Sequence, residues 1–143
     1  MKYARHANWL HERFVPPEDL YRASWAKKVS GCPTFQLPDV VGDCEFVGAW
    51  AMGINVALNM HVDPGDFLWS HTSIQCRGPA TDRVLAYFCF PTLGLAIPLR
   101  AGDHLLFNPA VPHMVSSRTE VGDKIYCLSL YFKTNLLGGN NNS

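Results

Sequence analysis

Asn59-Met-His-Val-Asp-Pro-Gly-Asp-Phe-Leu-Trp-Ser-His71 is the stretch around which this chain is organised. His61 and Asp63 stand two residues apart, so on a β-strand both side chains leave the same face. A neutral imidazole beside a carboxylate supplies two of the three ligands of a 2-His-1-carboxylate facial triad, which leaves the opposite side of an iron open. The third ligand is then a histidine far along the chain on a neighbouring strand. His113 answers to this, closing Gly102-Asp-His-Leu-Leu-Phe-Asn-Pro-Ala-Val-Pro-His113, which reads as strand, turn and the start of another strand. A buried His–Asp hydrogen bond and an unrelated surface histidine would give the same letters.

Working outward, the segments after Glu45 are short, strand-like and separated by turn signals, the pattern of an all-β sandwich or barrel. The spacing predicts strands at Glu45–Met52, Ile54–Val62, Phe67–Gln75, Arg83–Phe90, Leu95–Leu99, His104–Phe107, His113–Ser117 and Lys124–Lys133. Eight is the number a jelly roll needs. In the second of these, strict alternation sends Ile54, Val56, Leu58, Met60 and Val62 one way. Asn55, Ala57, Asn59, His61 and Asp63 then face the other, with Asn59 placed to hydrogen-bond a ligand.

Residues 1–44 read as an N-terminal helical support, 45–135 as the β core and 136–143 as a flexible tail. Pro16-Pro17 followed by Glu18 and Asp19 opens a helix that closes on Lys27, Lys28 and Gly31. Leu20, Trp25 and Val29 are its expected apolar stripe, and Ala7 to Phe14 is a second short helix. His6 and His11 there suit packing or surface roles.

At 143 residues the chain is one domain's length, and 48% hydrophobic residues are enough for a core. Twelve basic and twelve acidic residues give a formal net charge of zero, so charge gives no support for nucleic acid as a partner. Five cysteines without a C-x-x-C pair argue against a disulfide framework and for an intracellular setting, cytoplasm or nucleus. The N-terminus lacks the apolar core of a signal peptide, and no membrane span is expected. There is no G-x-S-x-G, Gly-rich phosphate loop or H-E-x-x-H.

His61-Val-Asp63 with the Gly102–His113 segment resembles the double-stranded β-helix of the Fe(II)/2-oxoglutarate-dependent dioxygenases. Phe88-Cys-Phe-Pro-Thr-Leu-Gly-Leu-Ala-Ile-Pro-Leu-Arg100, running into that segment, and Cys127-Leu-Ser-Leu-Tyr-Phe-Lys-Thr-Asn135 look most like the TET/JBP-related branch. The similarity covers roughly Ile54 to Asn135. It implies a mainly β, cupin-like jelly roll in which His61, Asp63 and His113 hold Fe(II) and form the catalytic centre. It also implies 2-oxoglutarate as co-substrate, O2 as oxidant and hydroxylation of a C–H bond in an unidentified organic substrate. An Arg or Lys on the last strand would pair with the far carboxylate of 2-oxoglutarate. Lys124 and Arg118 are equal candidates; in a TET-like register the expected Arg falls at Cys127, with Ser129 in the neighbouring hydroxyl position. His71 and His104 lie outside the ligand slots. Asp66 reads as a turn residue or an acceptor for His61. The alternatives are a cupin-type metal enzyme, whose second motif has the Gly102–His113 spacing, and a jelly-roll binding module without catalysis.

Overall fold

The computed structural model describes residues 3–29, 49–66, 69–77, 82–122 and 124–133. The expected flexible tail lies outside these residues, as does the predicted strand start at Glu45.

Among the described residues two α-helices, α1 (Tyr3–Phe14) and α2 (Pro17–Val29), precede eight strands. These are β1 (Ala49–Ile54), β2 (Leu58–His61), β3 (Ser70–Arg77), β4 (Ala86–Phe90), β5 (Leu95–Leu99), β6 (His104–Phe107), β7 (His113–Val115) and β8 (Lys124–Tyr131). They form two four-stranded antiparallel sheets, ordered β1-β8-β3-β6 and β2-β7-β4-β5. The core joins the two. Ile74, Phe107 and Ile125 from the first sheet pack with Ala86, Phe88, Phe90 and Leu99 from the second, and Leu85 is completely buried beside them. Complete burial of side chains of this size is worth roughly 1.5–3 kcal/mol each.

Helix α2 begins with Pro17 and carries Glu18 and Asp19 in its first turn, where acidic groups oppose the helix dipole. Of its expected apolar stripe, Leu20 is half-buried and Trp25 is 55% exposed, while the Val29 side chain lies outside the described residues; Ala23 is the buried position. An indole Nε1–H bond from Trp69 to Asp19 ties the helix to the residue preceding β3 (3.3 Å).

The β1–β2 boundary departs from the predicted break at Gly53. β1 continues to Ile54, and Asn55 makes the turn with φ 54°, a left-handed conformation that asparagine tolerates. Its backbone N–H donates to Ile125 O (2.8 Å), and its side-chain Oδ1 accepts from Ile125 N–H (2.9 Å). The turn is thereby sewn to β8.

Candidate metal centre

His61 ends β2, His113 begins β7, and the two are direct partners in the antiparallel ladder. Leu58 pairs with Val115, so three steps along β2 match two along β7, a bulge. The extra residue cancels the strict alternation, and Leu58 and His61 both line the same cavity. Asn59 is left with an exposed side chain outside that lining. Its contribution comes from the backbone: Asn59 O accepts the Nδ1–H of His61 at 2.7 Å.

The same arrangement recurs at His113, whose Nδ1–H donates to Val111 O at 2.8 Å. A carbonyl accepts only from a protonated nitrogen, so both rings carry their proton on Nδ1 and direct the Nε2 lone pair elsewhere. His113 Nε2 lies 3.4 Å from one oxygen of Asp63, and His61 Nε2 lies 3.7 Å from the other. The imidazole centroids are 4.4 Å apart. Among the described residues, His61, Asp63 and His113 are the cluster whose three ligand atoms fall within 4.8 Å of one another. Two neutral nitrogens and one carboxylate with carbonyl-oriented rings suit a divalent first-row metal. His113 is 3% exposed and stacks on Phe88 (5.4 Å, 9°), with Phe107 edge-on (5.0 Å). His61 and Asp63 are each about one-third exposed, so the centre is walled on one side and open on the other.

The cavity holding the cluster is about 340 Å³, lined from both sheets. Leu58, Phe88, Phe107 and Val115 give it apolar walls; Thr72 and Ser129 meet inside it through their hydroxyls at 3.1 Å. Burial pushes the Cys127 thiol, another lining group, up to about 11, so it is neutral there.

Of the residues expected to hold a co-substrate, the structure brings Ser129 into the cavity. Lys124, exposed at the start of β8, lies outside the lining, and so does the half-buried Arg118, whose guanidinium donates to Val121 O at 2.8 Å. The lining cation is Lys133, which the sequence reading did not single out. The signal was present in the period of two: Cys127, Ser129 and Tyr131 on β8 and Lys133 two residues beyond its end all face the cavity. Lys133 pairs with the carboxylate of Asp66, whose side chain is 5% exposed. Burial raises the Asp66 carboxyl, opposed by the Lys133 hydrogen bond; that bond raises the lysine.

His71 and His104 lie apart from the cluster and hydrogen-bond each other (Nε2 to Nδ1, 3.0 Å). His6 packs on His104 (4.1 Å between centroids) and His11 edge-on to His71 (6.5 Å), seating α1 against β3 and β6.

No family model and no curated protein sequence matches the chain. Among solved structures it is similar to a truncated form of the viral collagen prolyl hydroxylase vCPH from Paramecium Bursaria Chlorella virus-1. That similarity has 14% identity and a TM-score of 0.37, covering 59% of this chain and 57% of that one. The chain thus spans little more than half of that protein's length. No described helix is long and apolar enough to cross a membrane.

Proposed function

We propose that the chain is a metal-dependent oxygenase of the Fe(II)/2-oxoglutarate type, built on a double-stranded β-helix. The observation that carries this reading is the convergence of His61 Nε2, His113 Nε2 and the Asp63 carboxylate, with both Nδ1–H groups committed to carbonyls. The sheet orders β1-β8-β3-β6 and β2-β7-β4-β5 support the fold reading, because successive strands alternate between the two sheets on either side of a β4–β5 hairpin, as they do in a jelly roll.

In this reading Fe(II) and 2-oxoglutarate, when bound, supply an oxidant made from O2 for hydroxylating a substrate C–H bond. The chain's own residues do the rest. Asn59 O and Val111 O fix the histidine tautomers, so both Nε2 atoms are available without a proton being displaced. Asp63 contributes the negative charge that favours a dication over water. Phe88 and Phe107 hold the His113 ring and keep solvent from its inner side. The Thr72 and Ser129 hydroxyls offer hydrogen bonds to a polar group inside otherwise apolar walls. Lys124 and Arg118 remain the proposed partners of the far carboxylate from the family resemblance, and each would have to turn inward to meet it. The resemblance to the TET/JBP-related branch lies in the Phe88–Arg100, Gly102–His113 and Cys127–Asn135 segments of the sequence.

Anaerobic titration with Fe(II) and 2-oxoglutarate tests the proposal. A weak visible charge-transfer band that disappears in His61→Ala supports it. Metal binding without the band favours a cupin-type centre, and absence of metal binding leaves a jelly-roll binding module.

A further inference from the structure

The turn that delivers Asp63 is held at both ends. Asp63 N–H donates to Pro109 O in the β6–β7 connection at 3.1 Å. Gly65, at φ 80°, lets Asp66 N–H fold back onto Asp63 O at 3.3 Å. Asp66 then meets Lys133 twice, through an isolated antiparallel bridge of the backbone and through the ion pair of the side chains. The Ser70 hydroxyl donates to the same carboxylate at 3.5 Å. A nearly buried carboxylate held by a lysine that remains 36% exposed is a directional tether, since the carboxylate has little water to turn to instead.

We propose that Lys133 is a positioning residue of the metal centre: through Asp66 it holds the Asp63–Asp66 turn so that the Asp63 carboxylate sits between His61 and His113. The inference rests on the metal reading above and adds a residue that touches no metal ligand atom. Two effects of Lys133 on a bound cation have opposite signs. As a nearby positive charge it repels a dication, so its removal strengthens metal binding. As the anchor of the turn it preorganises Asp63, so its removal weakens metal binding. Residues that orient ligands are typically worth 10–100-fold in metal affinity, and exposure of Lys133 to solvent damps the Coulomb effect, so positioning wins.

The test is Co(II) titration of metal-free protein, followed by its visible absorption, in wild type, Lys133→Met and Lys133→Arg. Hydrogen exchange at the Asp63 and Asp66 amides is measured alongside in the metal-free state. The expected result is affinity weakened about 10–100-fold in Lys133→Met with faster exchange at both amides, and rescue to within a few-fold in Lys133→Arg. Asp66→Asn/Lys133→Met removes both charges, leaves no lone buried carboxylate to unfold the protein, and is expected to stay weak. Unchanged or tighter binding in Lys133→Met overturns the proposal, as does wild-type affinity in the double variant, which would assign the loss to a stranded Asp66 charge. Wild type that binds no Co(II) has a different pattern and overturns the metal reading together with the inference.

Discussion

His61 and His113 face one another across the β2–β7 ladder, and each ring is turned by the carbonyl two residues before it in the chain. The i−2 carbonyl leaves Nε2 as the free atom on both rings, so two distant segments present the same donor to one point. Asp63 completes the set from the turn that follows β2.

Removal of His113 has a larger structural cost than removal of His61, because His113 is buried against Phe88 and Phe107 whereas His61 is one-third exposed. Each alanine variant is expected to weaken Co(II) or Fe(II) binding by more than about 100-fold, beyond the loss seen for residues that only orient ligands. His113→Ala is also expected to lose about 2–4 kcal/mol of stability to the space left between the two phenylalanines. Metal titration and urea unfolding measure the two effects separately; equal stability losses in the two variants would contradict the burial argument.

Asn55 holds the β1–β2 turn in two ways, by accepting φ 54° and by bonding Ile125 N–H through Oδ1. Asn55→Gly keeps the first and loses the second, for an expected cost of about 1 kcal/mol. Asn55→Ala loses both and is expected to cost about 2–3 kcal/mol. Chemical denaturation of the pair decides it, and an alanine variant as stable as the glycine variant would remove backbone strain from the account.

Acid is expected to destabilise the protein through the histidines under α1. Burial lowers His71 from 6.5 to about 3 and His104 to about 4, and it lowers His11 as well. His104 and His11 add to the lowering at His71, while Asp103 opposes it at His104. These groups are neutral in the folded chain and take up protons on unfolding. The stability they protect is therefore complete above about pH 6.5 and is lost as the pH falls from there towards 4 and 3. Urea midpoints across this range should drop in wild type and flatten in His71→Gln; parallel curves for the two proteins would refute the assignment.

Cys127 is expected to alkylate slowly at about pH 8, where a free thiol is already partly ionised. Burial pushes this thiol up to about 11, so reaction with iodoacetamide should accelerate towards that value. Because Cys127 lines the cavity, metal and 2-oxoglutarate together are expected to protect it further. Mass mapping of the modified peptide reads both effects, and rapid labelling at about pH 8 would show that the thiol is not held neutral.

The sequence by itself determined the features that depend on short spacing. His61 and Asp63 were legible two residues apart, and the eight strand segments were legible from turn residues and apolar alternation. The start of α2 was legible from Pro17, Glu18 and Asp19. Tertiary structure decided the features that depend on register between distant strands. The bulge in β2 is set by pairing with β7; it brought Leu58 to the cavity with His61 and left the Asn59 side chain outside. Lys133 gained its role only when the end of β8 was brought against Asp66, and His71 found His104 only across the β3–β6 pair. A period of two states which residues share a face of one strand. Which face meets which partner is settled by the packing of two whole sheets, where one residue of slip turns every later side chain over.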